Sequence, residues 1–214
     1  TCAVRATGGV KCWGTVHNDD RLSDGATEDR LTPTDVPGHT DVIAVSSGAA
    51  HTCVLLSSGR VKCWGSNSSG ELGDGTTEDR LKPTDVHGLI DVIAVSASGA
   101  HTCAVLSSGS VKCWGGNSSG ELGDGTTEDR LVATAVVGLT SVVTISRGSN
   151  TCAVLSSGGV KCWGWNVAGQ LGDGTTEDRP TPTDVKGLTS VDAIATGWSH
   201  ACAALSSGAV KCWG

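Results

Sequence analysis

His51–Gly65 reads HTCVLLSSGRVKCWG, and nearly the same string returns as HTCAVLSSGSVKCWG at His101–Gly115. Shortened or altered copies stand at 1–14, 150–164 and 200–214, with connectors at 15–50, 66–100, 116–149 and 165–199. The cysteines set the period: Cys2, Cys53, Cys103, Cys152 and Cys202 are spaced 51, 50, 49 and 50, and Cys12, Cys63, Cys113, Cys162 and Cys212 keep step. A self-similar period of this length signals a stack of like units rather than a single folded core. In the second period four short runs rich in Val, Ile, Thr and Cys read as strands, at Pro83–Val86, Asp91–Ser96, His101–Ser107 and Ser110–Gly115. No stretch carries helical apolar spacing. The spacing therefore predicts an all-β propeller built from four-stranded blades of about 50 residues.

The unit can be read residue by residue. Ser57-Ser58-Gly59 suits a three-residue hairpin loop with Gly59 in the left-handed position. Counting outward, Leu56 faces Arg60, Leu55 faces Val61, Val54 faces Lys62 and Cys53 faces Cys63. That last pair falls at a non-hydrogen-bonded position, where Cα atoms approach to ~4.5 Å, within disulfide reach. The count predicts five local disulfides: Cys2–Cys12, Cys53–Cys63, Cys103–Cys113, Cys152–Cys162 and Cys202–Cys212. Zinc would want ligands closer together, as in C-x2-C. The chain has 10 Cys and 7 Trp but no Phe, Tyr or Met, so the cystines also supply bulk that aromatic residues would otherwise give. Persistent disulfides point to an oxidising compartment: extracellular, periplasmic or endomembrane lumen.

Charge and composition narrow the function. A net charge of -7 over 214 residues, with scattered Lys and Arg, argues against a nucleic-acid partner. No apolar run approaches the ~18 residues of a spanning helix, so no membrane insertion is expected.

The strings HTCVLLSSGRVKCWGSNSSGELGDG and HTCAVLSSGSVKCWGGNSSGELGDG resemble the repeat of the regulator of chromosome condensation family, with its His-Thr, Trp-Gly-x-Asn and Gly-x-Leu-Gly landmarks. The resemblance implies a β-propeller, usually of seven blades, whose members share protein binding through a propeller face rather than one activity. Departures are visible. The first connector, TVHNDDRLSDGATEDR, lacks the Asn-x-x-Gly-x-Leu-Gly core, Asn150 stands for the His, and LVATAV at 131–136 lacks the Pro and Asp of LKPTDV. Four and a bit repeats do not make seven blades. The repeats read as part of a larger ring, with a small closed ring and an arc completed by a partner as the other arrangements.

Candidate chemistry is sparse. The recurring D-G-T-T-E-D-R places Asp74, Glu78 and Asp79 on one turn, as a Ca²⁺ loop would, but Arg80 follows in position to take their charge. No cofactor is expected. His51, His101 and His200 occur once per blade, with no partner nucleophile or convergent ligands, and read as packing residues bonded to backbone. No nucleophile elbow and no phosphate loop is present, so no catalytic residue is assigned and no enzyme is expected. Asn67 and Asn117 lie in formal glycosylation triplets and also in the family's turn position after Trp-Gly.

Positions identical in every copy serve the blade, whereas those that differ are free to serve a ligand. The variable ones lie before the hairpin, at 47–50, 97–100, 147–149 and 197–199, and after Trp-Gly, at Ser66, Gly116, Trp165 and Val167. Entry to the first hairpin strand and exit from the second share one end, so both sets fall on one rim, opposite the Ser-Ser-Gly turns. Trp165 and Trp198 are the tryptophans outside the repeated position, and with Arg147 between their blades they have the composition of a binding hot spot. The expected function is a secreted, non-enzymatic scaffold or protein-binding propeller. Its partner is another protein, one with a basic or neutral patch, or further copies of the same chain. The alternative is a lectin-like propeller that stacks sugars on the rim tryptophans.

Overall fold

The computed structural model describes residues 1–15, 29–38 and 40–214; the altered part of the first connector falls outside them. Eighteen strands and no helix occur among the described residues. The first sheet holds β1 (Cys2–Val4), β2 (Val10–Gly14) and β3 (Arg30–Val36). The second holds β4 (Val42–Ser47), β5 (His51–Leu56), β6 (Val61–Gly65) and β7 (Arg80–Asp85). The third holds β8 (Val92–Ala97), β9 (His101–Leu106), β10 (Val111–Gly115) and β11 (Arg130–Ala135). The fourth holds β12 (Val142–Arg147), β13 (Asn150–Leu155), β14 (Val160–Gly164) and β15 (Arg179–Asp184). The fifth holds β16 (Val191–Thr196), β17 (Ala201–Leu205) and β18 (Val210–Trp213). Every pairing is antiparallel and joins neighbours in the chain. β4, β8, β12 and β16 adjoin one another in that order from sheet to sheet, so these strands line the centre of a partial propeller.

Of the four runs read in the second period, the first therefore pairs backward. The strand around Pro83, β7, closes the second sheet against β6, not the third beside β8. The register of β6 on β7 shifts between Cys63 and Gly65, and the loop that follows Trp64-Gly65 brings the chain back along β6 before it crosses to the next sheet.

The central hairpins have the register counted from their loops: Leu55 opposite Val61, Val54 opposite Lys62, and Cys53 opposite Cys63. Gly59 has φ +75 and closes the loop by donating its N–H to the Leu56 carbonyl at 2.9 Å. All five cysteine pairs are joined, each with a Cα–Cα separation of 4.1 Å. On the outer edge, Lys62 Nζ reaches Asp85 at 3.1 Å and Lys161 reaches Asp184 at 2.8 Å. Where LVATAV lacks that Asp, Lys112 Nζ turns to the Gly88 carbonyl at 3.3 Å.

The core lies between sheets rather than within them. Cys53, Leu55, Val61, Cys63 and Leu72 of the second sheet and its loop pack on Val92, Ala104 and Trp114 of the third. The same arrangement joins the third sheet to the fourth, through Val105, Val111 and Leu122 against Val142, Ala153 and Trp163.

Candidate functional site

One end of each complete sheet is built round an asparagine that follows Trp-Gly. The Asn67 side chain is fully buried; its carbonyl accepts from Leu72 N at 2.9 Å. Its amide donates to the Thr76 and Glu78 carbonyls, both at 3.0 Å, and to Asp74 Oδ1 at 3.2 Å. Asp74 also accepts from the Thr76 hydroxyl at 2.7 Å, and its second oxygen accepts from Arg80 Nε at 2.7 Å. Asn117, Asp124 and Arg130 repeat the cluster, as do Asn166, Asp173 and Arg179. Burial alone would raise these carboxyls. The threonine hydrogen bonds and the arginine outweigh it, holding Asp74 and Asp124 below the usual range and Asp173 at about 2.

Two expectations meet this geometry. In the Ca²⁺ reading Asp74, Glu78 and Asp79 converge on a cation; here Arg80 takes Asp74 and Glu78, and Asp79 accepts from the Asn67 backbone N–H at 2.8 Å. As glycan acceptors, Asn67 and Asn117 would need exposed amides. Both are buried with the amide nitrogen already donating to several carbonyls, which a glycan on the folded chain does not fit.

The loop beyond each asparagine reaches into the next sheet. The Glu71 carbonyl accepts from Trp114 Nε1 at 2.8 Å and from the Thr102 hydroxyl at 3.0 Å. With its proton so used, Thr102 Oγ1 accepts from His51 Nε2 at 2.7 Å. Glu121, Trp163, Thr151 and His101 repeat this seam one sheet on. Gln170 does the same for Trp213, at 3.0 Å. Gly73 makes the approach possible: it has φ +67, and a Cβ there would stand 2.8 Å from the Trp114 indole nitrogen. The histidines thus bond the next sheet's threonine rather than backbone, and His200 is exposed instead of packed. The seam escaped sequence reading because its acceptors are backbone carbonyls; the recurrence of Gly-x-Leu-Gly was its one visible trace.

The variable positions lie on the face where the central strands turn into the hairpins. The turns are linked one to the next: Ala49 N donates to Ser98 O at 3.0 Å, Ser98 Oγ to Gly148 O at 2.6 Å, and Ser149 Oγ to Trp198 O. Above them opens a cleft of about 820 Å³, lined by residues of both variable sets. It brings together Gly116, Arg147, Trp165 and Trp198, with His101, Glu121 and Asp129. Trp198 is 84% exposed and Trp165 half-buried. Ser66 and Val167 do not line it, although Val167 is 64% exposed nearby.

Arg147 departs from its expected place. It ends β12 but reaches backward, donating Nη1–H to the His101 carbonyl at 2.8 Å, so it sits in the seam of the third and fourth sheets and not between the sheets of Trp165 and Trp198. It is also buried, at 9% exposure. Burial lowers its pKa to about 9, which leaves it a cation at neutral pH. Burial first, and then Arg147 and His51, hold His101 well below the usual histidine range, so that it is neutral. Glu121, on the other wall, is raised by its burial.

Known proteins bear on the fold and the family. The pattern described as the regulator of chromosome condensation (RCC1) repeat matches residues 42–71 and 92–121 in one form, and 58–105 and 157–204 in another. No curated protein matches the chain. Among solved structures, yeast RCC1 (Prp20), bound to Kap60, superposes with a TM-score of 0.84 at 22% identity, over 100% of this chain and 53% of that one. Human WBSCR16 does so with 0.84 at 23%, over 100% and 58%. The ectodomain of the receptor kinase CR4 from Physcomitrella patens does so with 0.61 at 23%, over 99% and 48%. The chain spans about half the length of each. Repeat matches that together span 42–121 and 157–204, more than half of the chain, show that it belongs to the regulator of chromosome condensation repeat family, and the superposed sheets agree.

Proposed function

We propose that the chain is a non-enzymatic protein-binding propeller module that works in an oxidising, extracellular-type compartment, and that it engages its partner through the cleft-bearing rim. The observation that carries this is the cleft itself. Most of the positions that vary between copies, though not Ser66 or Val167, line one cavity of about 820 Å³, with an exposed Trp198 and a half-buried Trp165 on its walls. Large aromatic side chains left in water on an otherwise tightly bonded rim suit a docking anchor. A solved protein of similar fold supports the class: yeast Prp20 is seen bound to Kap60 and was characterised for binding to Gsp1p and histones. Five disulfides support the compartment.

Sugar binding is the weaker alternative. Trp198 aligns with Ala49, Gly99 and Ser149, and Trp165 with Ser66 and Gly116, so the stacking surface occurs once rather than on every blade.

The test is selection of binders from a displayed library of random peptides against the oxidised chain, followed by a double W165A/W198A variant. Loss of a hot-spot anchor costs about 2 kcal/mol or more, roughly thirtyfold in affinity. Binding that survives the double substitution at full strength, with the circular dichroism spectrum unchanged, rules the rim out. A glycan array run in parallel would favour sugar binding only through hits that the same substitution abolishes.

A further inference from the structure

Every arginine of the repeated Asp-Arg clusters has a carboxylate partner, but Arg147 does not. Its Nε and Nη2 are buried and have no hydrogen-bond partner among the described residues; Nη1 alone is used, on the His101 carbonyl. The two idle nitrogens are significant as a pair. Nε–H and the adjacent Nη2–H form one edge of the planar guanidinium, the edge that grips both oxygens of a carboxylate at once. A buried cation with an unfilled bidentate edge is unfavourable as it stands, and this one lines the rim cleft of about 820 Å³.

With the rim taken as the docking face, we propose that Arg147 is a carboxylate-binding site that receives an Asp or Glu side chain of the partner protein.

The surroundings select among anions. Glu121 and Asp129 line the same cleft, so a doubly charged phosphate or sulfate meets more repulsion there than a singly charged carboxylate. The same two residues favour a neutral or basic neighbour for the incoming acid, in keeping with the chain's net charge of -7. Trp165 and Trp198 offer apolar faces to the methylene stem and flanking residues. Position 147 adds its own evidence: the matching residues in the other sheets are Ser47, Ala97 and Thr196, so no demand of the blade requires an arginine there. Burial lowers the guanidinium pKa to about 9, and an arriving carboxylate would raise it again.

The experiment uses the oxidised chain and the tightest peptide from the library whose binding depends on Trp165 and Trp198. Each Asp or Glu of that peptide is changed in turn to Asn or Gln. One such change should weaken binding roughly ten- to hundredfold, the range of a hydrogen bond to a charged group. The same change should make no difference on the Arg147→Met chain, and Arg147→Lys, which keeps the charge but loses the fork, should fall between. Arg147→Met should melt no lower than the parent, since it removes an unsatisfied buried cation, and so reports on binding rather than folding. Rim-dependent peptides whose acids are all dispensable, or whose loss is the same with Met at 147, overturn the carboxylate site and leave the docking face standing. A library that yields no rim-dependent peptide overturns both. An Arg147-dependent uronate or sulfated glycan in place of any peptide overturns the choice of a protein partner.

Discussion

The third and fifth sheets carry nearly the same hairpin, HTCAVLSSGSVKCWG against HACAALSSGAVKCWG, yet Val111 is 1% exposed and Val210 67%. Cys113 is fully buried and Cys212 is exposed. Nothing local separates them: the pairing of Cys103 with Cys113 and of Cys202 with Cys212 is the same, at the same 4.1 Å. What differs is the neighbour. The third hairpin has Val142, Ala153 and Trp163 of the fourth sheet against it, whereas no sheet packs on the Val210 face of the fifth among the described residues. One hairpin is therefore half a core. Its disulfide holds the register, and the next hairpin supplies the apolar surface that makes the register worth holding.

Reduction attacks this comparison most strongly. Each bond closes a loop of about ten residues and contributes about 3 kcal/mol in the chain-entropy account, so five together rival the 5–15 kcal/mol that holds a typical domain. Full reduction in mild denaturant should therefore unfold the chain, read by circular dichroism. Under native conditions the order should follow burial. Cys202–Cys212, with one sulfur residue exposed, should be alkylated first and Cys2–Cys12 next, while the three interior bonds resist until the sheets part. Peptide mapping after timed reduction checks this; simultaneous loss of all five would mean that stacking protects none of them.

Trp114 and Trp213 give the next largest contrast. Both donate their indole N–H to the preceding loop, to Glu71 O at 2.8 Å and Gln170 O at 3.0 Å. Trp114 is fully buried between sheets, and Trp213 is half-buried. Trp114→Ala should cost about 3–5 kcal/mol, the usual range for emptying a buried aromatic site, and Trp213→Ala clearly less. Equal costs by urea unfolding would show that the indole hydrogen bond, which the two share, matters more than the packing, which they do not.

The hairpins were legible in the sequence because their information is local. Ser57-Ser58-Gly59 determines the loop, the loop determines the register, and the register places Cys53 opposite Cys63. The variable rim was legible by subtraction, since a repeat exposes whatever it does not need. Two things were hidden. The pairing of β7 with β6 of the sheet before it, across a loop of some 14 residues, is not revealed by the string LKPTDV. The burial of Arg147 depends on a carbonyl of another sheet, His101 O, some 46 positions away. Side chains that answer to distant backbone leave no pattern in sequence, and the seam of Glu71, Thr102 and His51 was missed for the same reason.

The smallest effect is the one set by acid, and it sharpens the contrast between the paired loop clusters and the unpaired Arg147. In the fourth sheet's cluster, burial would raise the Asp173 carboxyl, but the Thr175 hydroxyl, the Arg179 side chain and the Thr175 N–H bring it down to about 2 from an ordinary 3.8. In the unfolded chain the same group takes up its proton near ~3.9. A carboxyl whose folded value is depressed contributes stability that is complete above the unfolded value and lost as pH falls through the folded one. The contribution of Asp173 should thus be whole above pH about 4 and vanish between about 4 and 2. Asp74 and Asp124 shift the same way and deepen the slope. Melting temperatures taken from pH 5 down to 2 should fall steeply in the parent chain, and less steeply in Asp173→Asn, which starts lower at neutral pH but has one fewer proton to take up. Arg147→Met should leave the slope as it is, because that cation has no carboxylate to lose. Parallel curves for the parent and Asp173→Asn would mean that the Arg179–Asp173 pair, despite its 2.9 Å contact, adds nothing to the fold.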